Sequence, residues 1–488
     1  MSGANQRAWF DVDKKGLSKL LERRGKAFVA LELLQNAWDQ NVTKVDVELH
    51  KEPGSRDVTI IVEDDDPEGF SDLAHAFTLF AESEKKVDPG KRGRFNLGEK
   101  LVLALCQEAS IESTKGRVRF DAAGRKKSGK VRRRRGSRFE GSLRMKREEQ
   151  EETIRTLHRV IAPRGIETRI NGERIEAPEP VREFKATLTT EVADAEGYLR
   201  PTKRKTLVRV FRPRDGEVAT LYEMGIPVVE TGDLYHLDIA QKVPLSMERD
   251  NVPPAYLRAL RTAVLNEMHG ELDSETAASG WVREALSDPR CAPEAAKSAV
   301  EARFGTKAVA YDPSDAEANK LAVAKGYTVV HGGTLSKGEW ENARKAGVLT
   351  AAGQVTPSPK PFSNDPCAPS LRIVKEGDWS QEERRRVEQI KKIAERLIGR
   401  PIEVVIANDQ AWPYEAAFGG VHLTINRARV GKRWFQGALT ERVLSLVIHE
   451  LGHYYEGDHL SSRFHDALCD LGARLAIAVS EESELLKM

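Results

Sequence analysis

At 488 residues the chain is too long for one small fold and makes room for roughly three domains. Its 77 Lys+Arg against 75 Asp+Glu leave a formal charge of +2, and with 40% hydrophobic residues wholesale disorder is excluded. Cys106, Cys291, Cys367 and Cys469 lie far apart with no CxxC pair, and no apolar run approaches the ~18 residues of a membrane span. The start has neither an apolar core segment nor a small-residue cleavage site, so a cytoplasmic protein is expected, neither secreted nor membrane-embedded.

In chain order, Gly16 to Gln40 reads as one long helix. Val45, Val47, Leu49 and then Val58, Ile60, Val62 alternate with polar residues around Pro53-Gly54-Ser55, which is a hairpin. A glycine-punctuated stretch from Gly90 to Gly98 leads into a helix from Glu99 to Gln107, and strand-like segments reach Met145; residues 1–150 form one α+β domain. Residues 151–272 form a second, with strands at 206–211, 225–229 and 237–239 and a helix from Ala255 to His269. A small β-α-β-α connector occupies 273–353, and five prolines between Gln354 and Pro369 mark 354–370 as a linker. The last domain, 371–488, has a helix at 381–398, strands at 402–406 and 421–425, and helices near 440–456 and 461–480.

Within the first helix, Glu32, Gln35, Asn36 and Asp39 fall at i, i+3, i+4 and i+7 and make one polar stripe. Alone it would be the wet face of a surface helix. After it come the acidic turn Glu63-Asp64-Asp65-Asp66-Pro67-Glu68-Gly69 and the loop Gly93-Arg94-Phe95-Asn96-Leu97-Gly98, which opens a helix carrying Lys100. Backbone N–H groups of such a loop wrap phosphate oxygens, and Lys100 adds a point charge. The amide of Asn36 suits a partly hydrated Mg²⁺, Glu32 one turn away suits activation of an attacking water, and a buried Asp65 would accept the adenine amine.

In this order the three segments resemble the boxes of the GHKL ATPases, the group of gyrase, heat-shock chaperones, histidine kinases and MutL. Over about 150 residues the resemblance implies a GHKL ATPase sandwich, with Glu32 as general base, Asn36 on Mg²⁺, Asp65 on adenine, and Asp39, Gly69, Gly93, Gly98 and Lys100 in the ATP site. Pro67 stands where the second box usually has its first glycine, and Asn96 where the third often has one. The family's late Gly-Thr corresponds to Gly136-Ser137 or Gly141-Ser142. The second domain resembles the transducer of the dimeric members, and Lys242 in Gln241–Leu245 is the candidate for its phosphate-reaching lysine. A surface lysine before a turn is the plain alternative, as it is for Arg249 and Asn251. The combination is also similar to the rIIA-like proteins of tailed phages.

Between two strand-like segments, Arg125 to Arg138 form a cationic block that reads either as a nucleic-acid backbone contact or as an exposed hairpin tip. Phe139 is the nearest aromatic, and no stacking platform interleaves with the charges.

Near the end, His449-Glu450-Leu451-Gly452-His453 puts two histidines on one helical face with Glu450 beside them, a zinc-binding spacing after an apolar run. Two satisfied core histidines are the plain alternative. The segment resembles a minimal zincin metallopeptidase, in which Glu450 is the base. Gly457 would stop the helix and return His459 as third ligand, while Asp466, Asp470 and His465 remain alternatives. Val421 to Ile425 is the candidate edge strand for an extended peptide.

The expected whole is an α+β multidomain protein: GHKL ATPase sandwich, transducer-like α+β domain, small α/β connector and zincin-like α+β domain. It would use ATP, Mg²⁺ and Zn²⁺, act on a peptide or protein substrate, and form an ATP-dependent homodimer. The competing expectation is an ATP-switched nucleic-acid clamp or scaffold with a structural zinc.

Overall fold

The computed structural model describes residues 13–22, 25–70, 73, 88, 90–92, 98–194, 198–245, 251–357, 371–482 and 486, with side chains from Leu101 onward in the segment that begins at 98. The chain is a mixed α+β protein with several sheets, and Met1–Glu267 and Met268–Met488 are two compact units.

In the first unit, two helices, α1 (Lys14–Leu21) and α2 (Ala27–Trp38), replace the single one expected over 16–40. Gly25 lies between them with φ +74°, a left-handed conformation that ends a helix. Then follow β1 (Lys44–His50), β2 (Asp57–Asp64), α3 (Gly98–Leu105), β3 (Cys106–Ser113), β4 (Gly116–Asp121), β5 (Gly124–Ser128), β6 (Arg138–Arg144), α4 (Arg147–His158), β7 (Glu167–Ile170) and β8 (Glu173–Arg174). The sheet order is β5-β4-β3-β6-β2-β1-β7-β8. Strict alternation in β1, β2 and β6 turns one face inward, where Val45, Val47, Val58, Ile60 and Leu143 meet Leu34 of α2 and Leu157 of α4. This sheet continues past residue 150: β7 pairs in parallel with β1, Val45 opposite Thr168. Four residues after a helix carry too little alternation for this return to be read locally.

A second sheet, ordered β12-β11-β13-β10-β9, is built from β9 (Arg182–Ala193), β10 (Leu199–Phe211), β11 (Thr220–Glu223), β12 (Ile226–Glu230) and β13 (His236–Ile239), and α5 (Pro254–Met268) follows it.

The second unit starts with α6 (Ser274–Ala278), α7 (Gly280–Leu286) and α8 (Pro293–Phe304). The parallel pair β14 (Ala308–Ala310) and β15 (Thr328–Val330) is joined through α9 (Ala316–Ala324), and α10 (Lys337–Lys345) and α11 (Ala352–Val355) follow. Its carboxy-terminal part contains α12 (Gln381–Ile398), β16 (Glu403–Ala407), β17 (Ala416–Gly419), β18 (His422–Asn426), α13 (Arg427–Val430), α14 (Glu441–Gly452) and α15 (Ser462–Glu481). The sheet order β16-β18-β17 corrects the expected edge strand: β18 is central, with Leu423 opposite both Val404 and Phe418. Its four consecutive buried residues, Leu423–Asn426, are the pattern of a strand covered on both faces. The edge next to α14 is β17. Among the described residues no helix is long and apolar enough to cross a membrane.

Candidate functional site

On α2, Glu32 and Asn36 are half-buried, and the buried Gln35 donates its side-chain amide to Glu32. Asp39, on the same stripe, has a different occupation. Its carboxylate is 1% exposed and accepts Nη1–H of Arg92 at 2.9 Å and the backbone N–H of Arg92 at 3.2 Å. Arg92 in turn donates Nε–H to the carbonyl of Met224 at 3.1 Å and lies over the Trp38 ring. A carboxylate this deep needs a cation, so Asp39 anchors the chain at Arg92, directly before Gly93 in sequence. Arg92 was invisible to sequence reasoning except as the residue preceding that loop. A cavity of about 220 Å³ lined by Arg92, Arg209 and Asp238 includes neither Glu32 nor Asn36.

The acidic turn corrects the expectation of a buried Asp65. Asp65 faces outward and accepts the N–H groups of Thr43 and Lys44 at 2.8 and 2.9 Å and the Thr43 hydroxyl at 2.6 Å, and it pairs with Arg135 at 3.0 Å. Its slight burial raises the carboxyl pKa, but the Thr43 and Lys44 hydrogen bonds and the Arg135 charge outweigh this and hold it below the usual value. Asp66 is the buried carboxyl of the turn, while Asp64 is half-buried and partly desolvated. Burial raises the pKa of Asp64 against the lowering effect of N–H bonds from Asp66 and Ser137, each 3.1 Å from Oδ1.

Gly136 makes this contact: at φ +74°, a Cβ there would stand 1.9 Å from the Asp64 carbonyl oxygen. Ser137 Oγ also accepts the N–H of Phe70 at 2.9 Å, and Gly69 lies buried against Gly136. Of the two candidate pairs, Gly136-Ser137 therefore adjoins the acidic turn, while Gly141 sits in mid-β6 opposite Ile60 and Ala109. Gly98 opens α3 and Lys100 follows on its first turn; Gly93, Arg249 and the side chain of Lys100 lie outside the described residues. Asn251 is exposed.

Lys242 is fully buried, not a surface lysine, and donates Nζ–H to the carbonyl of Asp88 at 2.9 Å. Together with the Arg92–Asp39 pair it ties down residues 88 and 92, ahead of the Gly93–Gly98 motif in sequence. In the basic run, Arg133 and Arg138 pair with Glu63 and Arg135 with Asp65, so part of the block neutralises the acidic turn. Arg125, Lys126 and Lys127 are exposed on β5, at the edge of the first sheet.

In the second unit, α14 starts at Thr440, whose Oγ1 accepts the N–H of Val443. The fully buried Arg386 of α12 fixes the preceding loop by donating to the carbonyl of Gly437 at 2.8 Å. This helix delivers His449 near its end, the buried Glu450 and, at its C-cap, His453. The chain turns back through Gly457, and His459 brings its Nε2 to 3.2 Å from Nε2 of His449. One ring nitrogen from each of the three histidines lies within 4.8 Å of the others. Phe464 of α15 forms the apolar wall, its ring 4.8–5.4 Å from all three imidazoles. Asp466, Asp470 and His465 are exposed on α15 and do not join the cluster.

The donor set fits zinc. At Zn–N bonds near 2.05 Å, tetrahedral ligand nitrogens stand about 3.3 Å apart, close to the separation between His449 and His459. His453 turns Nδ1 toward the carbonyl of Glu456 at 3.3 Å, which leaves its Nε2 for a metal. Burial lowers the pKa of His449, favouring the neutral form that ligates.

No family model matches the chain, and no curated protein matches it. Among solved structures it has a weak neighbour, the ATPase region of Saccharomyces cerevisiae topoisomerase II, at 13% identity and a TM-score of 0.28. The match covers 41% of this chain and 61% of that one, so the chain spans less than two thirds of its neighbour, and a likeness this low carries no functional argument.

Proposed function

We propose that the chain is a two-part enzyme, an amino-terminal Mg-ATPase of GHKL type with a transducer-like second domain, and a carboxy-terminal zinc site of zincin peptidase type. The observation that carries the reading is the return of His459 onto the His449/His453 pair beside the buried Glu450, a three-nitrogen donor set against an apolar wall. Zinc held there would supply Lewis acidity and a more acidic bound water. Glu450 takes the proton of the attacking water, and the edge of β17 offers its backbone to an extended peptide.

For the ATPase half, Asn36 holds Mg²⁺ and Glu32 orients and deprotonates the attacking water. In this reading amide groups at the start of α3 bind the phosphates, Lys100 is the candidate phosphate cation, and Asp64, steadied by Ser137, takes the adenine role first given to Asp65. Asp39 serves the fold through Arg92. Lys242 is the transducer lysine, and in this reading Mg-ATP pairs two chains and gates the zinc site.

Elemental mass spectrometry should find about one zinc per chain, lost in the His449→Ala/His453→Ala double variant; a wild type without zinc after reconstitution ends the peptidase reading. Glu32→Ala should cut ATP turnover by about 10²–10⁴-fold and spare nucleotide binding; normal turnover would sink the ATPase assignment. Light scattering with a non-hydrolysable ATP analogue should show a doubled mass.

The exposed cations of β5 favour one second reading, an ATP-switched nucleic-acid clamp whose zinc is structural. Glu450→Gln separates the two, abolishing peptidase activity in the first and leaving function intact in the second.

A further inference from the structure

The loop after β14 reaches the histidine cluster from a different part of the second unit. It carries Asp312, whose side chain is 5% exposed and whose Oδ1 stands 3.7 Å from Nδ1 of His459, within ion-pair range. Among the described residues, His459 is the cationic or imidazole group at that range from Asp312.

Asp312 is a built position. Its backbone N–H donates to Oδ1 of Asn319 at 2.9 Å and its carbonyl accepts Nδ2–H of the same residue at 2.6 Å. Oδ1 accepts the N–H of Ser314 at 3.0 Å. Gly353 leaves room for the other oxygen, since a Cβ there would come within 2.4 Å of Oδ2. Three residues on, Asp315 accepts the hydroxyl of Tyr414, so the loop is fastened to the β16–β17 connection as well.

We propose that Asp312 is the outer positioning carboxylate of the metal centre: when a metal is bound, the 3.7 Å contact closes to hydrogen-bond distance, Asp312 accepts the Nδ1–H of His459 and fixes that tautomer, and Nε2 of His459 is thereby presented toward His449 and the metal. The inference rests on the zinc reading above. It makes the segment from 308 to 353 part of the site and not a spacer. Nδ1 of His453 faces the carbonyl of Glu456 in the same sense, so two of the three ligands present Nε2 inward with an acceptor behind them.

The test is a zinc competition titration on the full chain against a chromophoric chelator, with melting of the metal-free protein as a parallel readout. Asp312→Ala should weaken zinc binding 10–100-fold with about one zinc still bound at saturation and metal-free melting unchanged. Gly353→Ala keeps the carboxylate but displaces it, and should weaken zinc to a similar degree. Wild-type affinity in both variants would overturn the proposal while leaving the three-histidine site standing. A loss of affinity matched by a loss of metal-free stability would also overturn it, by assigning Asp312 to the fold. No zinc in the wild type would remove the site reading itself, and this proposal with it.

Discussion

Adjacent carboxyls in the acidic turn have opposite fates, and the difference is measurable. The folded-state pKa of Asp64 is raised above 3.8 by burial, so the stability its neutral form contributes is full below pH 3.8 and is lost as pH rises through the folded pKa. As the pH rises through that folded pKa the protein takes on a charged, half-buried carboxylate at a cost in stability. Asp64→Asn keeps an oxygen for the N–H groups of Ser137 and Asp66 and removes that cost. If the cost is about 1 kcal/mol, the variant should melt about 2–4 °C higher than wild type at pH 7, while binding nucleotide more weakly. The gap should close as the pH falls toward 4, and a pH-independent gap would show that burial of charge is not its origin. Residue spacing located this turn but not that Asp64, and not Asp65, carries the more desolvated carboxyl. That is decided by the contact of Gly136 with the Asp64 carbonyl, a neighbour far off in sequence. Arg92 and Asp312 were hidden for the same reason, because their partners Asp39 and His459 lie in distant segments. His459 was visible because its place is set locally, by the end of α14 and the turn at Gly457.

Elements were most legible where one period ran uninterrupted. The heavily charged α12 shows its buried stripe Val387, Ile390, Ile393, Ala394 and Leu397 and its Ser380–Glu383 capping box directly in the sequence. The break between α1 and α2 and the centrality of β18 were not legible, since one depends on a glycine's backbone angle and the other on which strands arrive beside it. The packing of α14 on α15 is a third such case, and it bears on the proposed metal site. A Cβ at Gly452 would stand 2.9 Å from Cδ2 of Leu468 and 3.0 Å from Cε2 of Phe464, so the absence of a side chain sets how closely the helices approach. Gly452→Ala raises helix propensity by about 1 kcal/mol but forces Phe464 away from the imidazoles, with an overpacking cost of about 1–3 kcal/mol. Zinc should bind about tenfold more weakly in this variant although no ligand has changed. Unaltered affinity would mean that Phe464 is not what holds the three rings together.

For the whole molecule, two compact units with two different proposed ligands pose a thermodynamic question that ligand linkage answers. A nucleotide analogue at a hundred times its Kd stabilises whatever binds it by about 2.7 kcal/mol, and zinc acts likewise on its own site. If the units were independent, calorimetry would show two transitions, one moved by the analogue and the other by zinc, with additive shifts. The proposed gating requires more. A nucleotide that changes access to the zinc site by stabilising one state must change zinc affinity, and zinc must change nucleotide affinity by the same factor. A coupling of about 1–3 kcal/mol corresponds to about 5–150-fold in both affinities. We therefore expect zinc titrations with and without a non-hydrolysable ATP analogue to differ by at least about fivefold, and nucleotide titrations of zinc-loaded and zinc-free chain to differ by the same ratio. Equal affinities on both sides of this cycle would leave an ATPase and a zinc site that share a chain without sharing a mechanism. Unequal factors on its two sides would show that the measurements were not at equilibrium, because the free energy around a closed cycle is zero.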